Sequence, residues 1–532
     1  MSGSFFSTAS FARGVWCPLA LLATSCGSPQ PTGFVAPKWA ADSATVRVAA
    51  GPQYARGAVW RFFWGKHYRD LWATPVTAPV LRLATALPGG LTPLQAGGSY
   101  QSRTLRLFTA EGRQFVLRSV DKDASTALPA GWWRQLLGGL MKDQTSVALP
   151  YGAYVAAPLA EAAGVYHTNP RLVYLADDPG LGQFRARYAH ALYLLEERPE
   201  GNQRGVASFG HSRAVVNTAR MLNDIRRRPT AQVVARTYLR ARLLDIWLGD
   251  WSRREDQWRW ASFPESGRVT YRPIPRDRDQ AFFLFDDGVL TRLVSWFVPK
   301  YSSFHARIKP GAVAGLTTTA RALDRTLLGT LSAEDFRQEA DSLRRRLTDG
   351  AIAQALTAGP PETRAAIAAS LAPKLRERRE QLPAVAQRYY ELLAQEAWLV
   401  GTDQAERFLI SGAGPGRLRV QLLARRVAKA DSLVAERVYD QKETRRLDLY
   451  GLAGEDIFEL RDRLPAGIAV HLYDGAGRDQ VLASAARGDV TWYAGTGEEA
   501  RPHPPGITVE ADPRPEETAN CLGWMQRYNL RD

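Results

Sequence analysis

The chain has 532 residues, of which 45% are hydrophobic and 23% charged. These ordinary globular values exclude a wholly disordered, collagen-like or coiled-coil chain, and the length corresponds to about three domains. Lysine and arginine outnumber aspartate and glutamate by 69 to 54, a net charge of +15, which favours an anionic partner such as a nucleotide, phospholipid, lipopolysaccharide or nucleic acid. The alternative is a basic soluble protein with none of these partners. Because no DNA-binding motif accompanies the charge, we expect no nucleic-acid partner.

The N-terminus has the features of a secretion signal. An apolar stretch, residues 15–23, follows Arg13 and leads into Ala-Thr-Ser-Cys at residues 23–26, a length typical of a signal peptide. This segment resembles a bacterial lipoprotein signal. The resemblance implies that Cys26 becomes a lipid anchor and that the protein lies in the cell envelope, in the periplasm or at the outer membrane. Simple secretion and a cytosolic start are the alternatives.

The three cysteines predict neither a disulfide nor a metal site. Cys17 would be removed with the signal and Cys26 acylated, which leaves Cys521 without a partner. No cysteine pair has C-x-x-C spacing and no histidines form H-E-x-x-H, so we expect no thiol or zinc chemistry.

The order of predicted elements indicates an α+β fold. Residues 78–122 have the short apolar runs and Gly/Pro breaks of strands, as do residues 171–175 and 191–197. Helices are predicted over residues 147–163, 230–250 and 311–398, with Ser332 and Asp335 as a capping pair and Pro361 and Pro383 near helix starts. Residues 405–512 return to strands and glycine turns. No repeat with a period of 20 to 50 residues is found.

A first group of residues could bind phosphates. Residues 97–102, GGSYQS, form a glycine-rich turn between two strands, and such turns bring backbone amides close to phosphate oxygens. The next strand carries Arg118, with Lys122 on the same face, and a helix with Glu161 follows. The apolar strand 191–197 then ends at a polar turn beside Glu197. A simple hairpin and an amphipathic edge strand are the alternatives for the turn and the basic strand.

A second group could bind a metal. Residues 249–258 read GDWSRREDQW after a helix, and residues 273–282 read PIPRDRDQAF. Asp277 and Asp279 lie on one side of an extended segment, and hard carboxylate oxygens suit Mg²⁺. Phosphoryl-transfer enzymes combine a catalytic loop with an acidic metal-binding segment in this order. A solvated turn is the alternative for the two carboxylates.

The series of motifs resembles the atypical, extracytoplasmic protein-kinase-like group that includes the spore coat protein H kinases and the secretory-pathway kinases. It is also similar to large Bacteroidetes envelope proteins that often read G-D-W-D-R-H-E-D-Q-W. In those, a segment like residues 449–458, LYGLAGEDIF, often precedes an outer-membrane β-barrel. The kinase resemblance covers about residues 80–300 and the envelope resemblance most of residues 50–530.

The resemblance implies a two-lobed kinase-like domain, a helical segment and a β-rich C-terminal domain. The predicted boundaries are a signal at 1–26, a linker and N-terminal extension at 27–75, an N-lobe at 76–200, a C-lobe core at 201–310, a helical segment at 311–400 and a β-rich domain at 401–532. ATP and Mg²⁺ are the implied cofactors. The implied cofactor-binding residues are Gly97 and Gly98 in the phosphate loop, Arg118 with Lys122, Glu161 as the partner of Arg118, and Glu197 at the hinge; the implied metal ligands are Asp277, Asp279 and Gln257.

The sequence departs from the family at the catalytic loop. Ser252 occupies the position of the catalytic aspartate and Arg254 that of the histidine. Because a serine cannot accept a hydroxyl proton as a carboxylate does, we expect a degenerate site, with Asp250 as the remaining candidate base. Two functions stay open: nucleotide and Mg²⁺ binding with weak or no phosphotransfer, and a non-enzymatic scaffold for an outer-membrane barrel protein or another envelope protein.

The C-terminal region contains two glycine-aspartate turns, residues 454–456 and 475–479. Such turns are faintly similar to calcium-binding loops. Ordinary β-turns are the alternative.

Overall fold

The computed structural model describes residues 45–97, 102–123, 125, 131–298, 301–426, 429–484, 488–495 and 503–511. The signal with Cys26, the turn residue Gly98 and Cys521 lie outside the described residues. Among the residues described, no helix combines the length and the hydrophobicity needed to cross a membrane.

An N-terminal sheet contains seven strands of the described chain, mostly antiparallel, in the order β1-β2-β6-β7-β5-β4-β3. Alternating buried positions along β1 and β2 place one face against a core. The sheet takes its first strand from residues 45–49, inside the segment predicted as an extension. The elements of this region are β1 (Thr45–Ala49), α1 (Ala58–Trp64), α2 (Arg69–Ala73), β2 (Pro75–Leu81), β3 (Thr92–Gly97), β4 (Ser102–Phe108), β5 (Gln114–Lys122), α3 (Trp132–Asp143), α4 (Gly152–Ala163), β6 (Arg171–Leu175), α5 (Arg185–Tyr188) and β7 (Ala191–Glu197).

The middle of the chain is organised around one buried helix, α7. Its side chains from Leu243 to Leu248 are buried on every side, as expected for a helix in the centre of a domain. The observed helix begins at Ala235 and not at residue 230 as predicted, because residues 231–233 form a strand that pairs with residues 269–271. The elements are β8 (Ala214–Asn217), α6 (Thr218–Arg227), β9 (Ala231–Val233), α7 (Ala235–Leu248), β10 (Trp258–Glu265), β11 (Arg268–Pro275) and α8 (Val289–Phe297), with the strands in the order β8-β10-β11-β9.

The predicted helical segment packs on α7 and shares its core. The Nε1–H of Trp247 donates to the carbonyl of Leu375 at 3.3 Å. The predicted capping pair is confirmed, since Ser332 and Asp335 exchange both bonds of a capping box. The helices are α9 (Pro310–Thr317), α10 (Arg321–Leu328), α11 (Ala333–Arg346), α12 (Asp349–Leu356), α13 (Pro361–Glu380) and α14 (Leu382–Ala394).

The C-terminal region, residues 396–511, contains two β-sheets that enclose a hydrophobic core of their own. We call this region the coil, because the chain winds from one sheet to the other. One sheet has the order β12-β16-β18-β20-β21 and the other β15-β14-β13-β17-β19 within the described residues. From β16 to β20 the five successive strands alternate between the two sheets, and β18, β19 and β20 pair in parallel with the strand of the previous turn. The strands are β12 (Glu396–Val400), β13 (Glu406–Gly412), β14 (Arg417–Ala424), β15 (Ser432–Asp440), β16 (Arg446–Tyr450), β17 (Ile457–Leu460), β18 (Ala469–Tyr473), β19 (Gln480–Ala483), β20 (Val490–Ala494) and β21 (Thr508–Ala511).

This coil contains a short repeat, so the expectation of no repeat was wrong. Tyr473 follows Tyr450 by 23 residues (473 − 450) and pairs with it in register. The rings of Tyr450, Tyr473 and Tyr493 stack with centroids 4.6 Å apart at each step. The repeat is visible in the sequence, since LYGLAGED at residues 449–456 and LYDGAGRD at residues 472–479 share Leu, Tyr, Ala, Gly and Asp at the same positions. One winding of the chain, with one strand in each sheet, is one repeat unit, and we call it a rung.

Candidate functional site

Two ion pairs join the basic strand to the acidic segment. The Nη1 of Arg118, on β5, donates to Asp277 Oδ2 at 2.9 Å, and Lys122 at the end of β5 pairs with Asp279. Asp277 follows β11 with a φ of 63°, in the left-handed region that aspartate tolerates better than most residues. The predicted phosphate-binding cations and metal-binding carboxylates therefore meet in one place, which we call the cleft.

Arg118 and Asp277 are both charged in the cleft. Burial acts to lower the pKa of Arg118, but the charges of Asp277, Glu196 and Asp279 outweigh it, and the net pKa is raised. Burial likewise acts to raise the pKa of Asp277, but Arg118 and the other nearby cations bring it below its usual value. Asp277 is therefore an ionised carboxylate, the form a metal ion requires.

The loop at residues 249–258 contributes a serine and an amide. The Nε2 of Gln257 donates to Ser252 Oγ at 3.3 Å, and the backbone of Gln257 accepts a bond from Arg276 N at 2.9 Å. This backbone bond ties the loop to the segment that carries Asp277. The predicted grouping of Ser252, Gln257 and the acidic segment is thus present in the structure.

Asp250 is poorly suited to act as the base. It has 0% exposure, and its carboxylate accepts from Ser252 N at 3.1 Å and from Arg253 Nη2 at 2.5 Å. Burial raises its pKa, although Arg253 opposes the shift. A carboxylate enclosed in this way stabilises the turn and does not reach a substrate hydroxyl.

Arg253 holds the two halves of the site together, a role the sequence did not suggest. It is fully buried, and besides Asp250 it pairs with Asp245 on α7 at 2.9 Å. A further nitrogen donates to the carbonyl of Arg276. Its spacing of three residues from Asp250 was visible in the sequence, but the contacts with α7 and Arg276 were not.

Other predicted residues lie elsewhere. Glu161 is exposed on α4, and Arg118 pairs with Asp277 instead. Glu197 pairs with the exposed Arg113 at 2.8 Å. Gly97 ends β3 and pairs with a residue of β4, while its neighbour Gly98 is outside the described residues.

Sequence analysis also missed several charged residues around the cleft. Glu196, next to the predicted hinge residue, has 5% exposure, and burial raises its pKa. The arginines interleaved with the carboxylates were visible in the PRDRD letters, but only the carboxylates were assigned a role. The missed arginines are Arg106, Arg198, Arg259 and Arg276.

Two side-chain oxygens, one on Asp277 and one on Gln257, could bind a divalent cation. Asp277 Oδ1 and Gln257 Oε1 are buried and accept no hydrogen bond. Within the described residues, no cluster of three or more His, Cys, Asp or Glu side chains could hold a metal. Mg²⁺ usually takes one or two protein carboxylates and completes its shell with water and phosphate oxygens, so two free oxygens suffice only if a phosphate ligand is present.

Comparisons with known proteins find little. No family model matches the sequence, and no curated protein matches it. The solved structure entitled "Crystal structure of A Helicobacter pylori proinflammatory kinase CtkA" is similar, with 10% sequence identity and a TM-score of 0.28, over 59% of this chain and 99% of that chain. The mixed α/β content with several sheets agrees with the predicted α+β class.

Proposed function

We propose that this chain is an extracytoplasmic kinase-like envelope protein that binds a nucleotide with Mg²⁺ and has weak or no phosphotransfer. The observation that carries the proposal is the pair of contacts from β5, Arg118 to Asp277 and Lys122 to Asp279. They bring phosphate-binding cations and metal-binding carboxylates to one cleft although about 160 residues separate them in sequence.

The roles follow from the chemistry of each side chain. Asp277, with Gln257 and Asp279, would hold Mg²⁺, which neutralises the charge of a bound phosphate. Arg118 and Lys122 then exchange their carboxylate partners for phosphate oxygens, a change between two charge-assisted contacts. Ser252 cannot accept the proton of an attacking hydroxyl. The proposal therefore combines nucleotide binding with weak or no phosphotransfer.

Thermal unfolding of the full chain tests the binding. ATP with Mg²⁺ at 100 times its dissociation constant should stabilise the protein by about 2.7 kcal/mol, and Asp277→Ala should abolish the shift. Asp256→Ala is the matched control, because Asp256 lies near the site but its side chain is 65% exposed. A shift equal in both variants, or none at millimolar nucleotide, would refute the metal and nucleotide roles.

Restoring the carboxylate tests the degenerate loop. Ser252→Asp should raise phosphate release or transfer by at least about tenfold, within the range general-base catalysis contributes. Ser252→Ala keeps the loop without a base and serves as control. An active wild-type chain that loses nothing in either variant would show that another residue is the base.

The envelope location rests on Cys26. Cys26→Ala should move the full chain from the detergent-soluble membrane fraction to the soluble fraction, because a lipidated cysteine anchors the protein. Unchanged membrane association would instead favour a different attachment.

The second candidate is a scaffold that works with an outer-membrane barrel protein. An apolar patch on the paired helices α1 and α8 favours it, since Phe62, Trp296 and Phe297 are 62%, 72% and 68% exposed, and large exposed patches mark interaction sites. Crosslinking in cells to a barrel protein should disappear in Trp296→Ser. Leu482→Ser, which changes an exposed apolar residue elsewhere, is the control.

A further inference from the structure

One wall of the cleft carries arginines in addition to Arg118. Strand pairing aligns Arg106 with Val116 and Val116 with Glu196 across β4, β5 and β7. Since alternate residues share a face, Arg118 lies on the same face. Arg198 follows Glu196 by two residues, past the end of β7, and is 8% exposed.

The opposite wall adds two more guanidinium groups. Arg259 pairs with Ile274 across the β10–β11 hairpin, and Arg276 follows Ile274 by two residues. Both arginines donate to the carbonyl of Asp256, at 3.3 and 2.9 Å. We call the five residues Arg106, Arg118, Arg198, Arg259 and Arg276 the arginine cluster.

The positive charge of the cluster is poorly neutralised. Burial lowers the pKa of Arg198, although the charge of Glu200 opposes the shift. Among the described residues, neither Arg259 nor Arg276 forms an ion pair, and each keeps a buried Nε–H without an acceptor.

Among the carboxylates near the cluster, Glu196 lies on the same wall and offsets part of the charge, and the others are already paired. Asp277 and Asp279 are bound to Arg118 and Lys122, and Glu200 is bound to Arg198 at 2.5 Å. Asp256 pairs with Arg254 at 3.1 Å. Burying unpaired arginine is unfavourable because the guanidinium keeps its proton, so an anion that supplies the missing charge would bind strongly.

We infer that the arginine cluster recognises the phosphate chain of the ligand, so that the cleft selects a polyphosphate anion rather than a nucleobase. Guanidinium groups bind phosphate oxygens in parallel pairs of hydrogen bonds, and the two walls present such groups from both sides. This rests on the proposed function and names the part of the ligand that is bound. The phosphate chain can belong to a nucleotide or to inorganic polyphosphate.

A ligand series separates the two sources. The unfolding temperature of the full chain is measured with tripolyphosphate, ATP or adenosine, each with and without Mg²⁺. We expect tripolyphosphate to stabilise at least as well as ATP, and adenosine to have no effect. The inference would be overturned if adenosine stabilised the protein, or if ATP did so and tripolyphosphate did not. A tripolyphosphate effect much larger than that of ATP would identify inorganic polyphosphate as the source.

Two variants test the cluster itself. Arg276→Gln and Arg259→Gln should each raise the unfolding temperature without ligand, because an uncompensated charge is removed, and should weaken tripolyphosphate binding at least tenfold. The rise in stability excludes misfolding as the cause of lost binding. Arg268→Gln, at the exposed far end of the same hairpin, should change neither. Unchanged binding in both cluster variants contradicts the inference.

The outcomes distinguish this inference from the proposed function. If Mg²⁺-dependent ATP binding requires Asp277 but survives both arginine substitutions, the inference fails and the proposed function stands. If tripolyphosphate binds without Mg²⁺ and Asp277→Ala has no effect, the cluster binds anions and the proposed metal role fails.

Discussion

The cleft and helical core in the N-terminal two-thirds of the chain and the glycine-aspartate turns of the C-terminal coil hold buried carboxylates in opposite ways. In the former, cationic side chains hold them: Asp277 pairs with Arg118 and Asp324 with Arg242. In the turns, backbone amides do so: Asp456 accepts from Glu406 N at 2.8 Å, and Asp479 accepts from Asp456 N at 2.6 Å. Elsewhere in the coil, Asp448 is buried and pairs with Arg446. No cation forms an ion pair with Glu406 or Asp456 in the described part of the chain.

The difference appears in the pKa values, and it separates the cleft of the proposed function from a part of the coil that gives structural support. The cations lower the pKa of Asp277 against the effect of burial, whereas burial raises the pKa of Asp456 to about 9 and that of Glu406 to about 7. An ionised carboxylate can bind a metal, and a protonated one cannot. We therefore assign the glycine-aspartate turns of the coil a structural role.

The largest expected effect is at a fully buried pair. Asp324 has 0% exposure and accepts from Tyr238 Oη at 2.7 Å and Arg242 Nε at 2.9 Å. Asp324→Ala leaves the buried Arg242 with Asp245 alone, at 3.2 Å, and should lower the free energy of unfolding by about 3–5 kcal/mol, measured by urea denaturation. Asp341→Ala, which breaks an exposed pair at 3.3 Å, is the control. Equal losses would show that buried cations do not need their carboxylates here.

The coil should lose stability as pH rises. A carboxyl whose folded pKa is raised stabilises the fold below its unfolded pKa, and that stability is lost as pH passes through the folded value. For Glu406 and Asp456 the window runs from about pH 4 to about 7 and about 9. We expect a loss of about 3 kcal/mol or more between pH 5 and pH 9, since one pKa unit is about 1.4 kcal/mol and both folded values lie well above pH 5.

Urea denaturation at both pH values, of the unaltered chain and of a chain carrying Glu406→Gln and Asp456→Asn, checks the assignment. The double variant should lose most of the dependence. A dependence of the opposite sign would mean that these carboxyl groups are ionised in the folded state and would remove the contrast with Asp277.

A smaller effect is expected in the cleft. The side chains of Arg118 and Asp277 are 14% and 21% exposed, so Asp277→Asn should cost about 1 kcal/mol at low salt, and less at high salt. Denaturation at two salt concentrations measures this. A loss as large as that of Asp324→Ala would make the pair structural and weaken its proposed exchange for a phosphate ligand.

The smallest effect is expected in the tyrosine stack. Tyr473 Oη accepts from Arg446 Nη2 at 2.9 Å, but Arg446 also pairs with Asp448 at 2.6 Å. Tyr473→Phe keeps the ring and should cost about 0.5 kcal/mol, whereas Tyr473→Ala should cost several times more in the same assay. Equal costs would show that hydroxyl bonding, and not ring packing, holds the rungs.

Local patterns predicted much of the secondary structure, because strands 171–175 and 191–197 and the Ser332 cap depend on neighbouring residues. They could not predict Arg253 or the arginine cluster, whose contacts join segments far apart in the chain. Glu161 shows the same limit: a charged residue on a predicted helix does not reveal which way it faces. The grouping of Asp277 with Arg118 was anticipated only from the resemblance to kinases.

The rung structure of the coil makes its length adjustable. Each inner strand forms ladder hydrogen bonds only with the strands on either side of it in its sheet, so duplicating residues 451–473 would insert one turn and move β20 by one strand spacing, about 4.8 Å, while the stacked rings continue through the new turn. The C-terminal region can therefore lengthen in fixed steps of one strand spacing while its stacked core is kept.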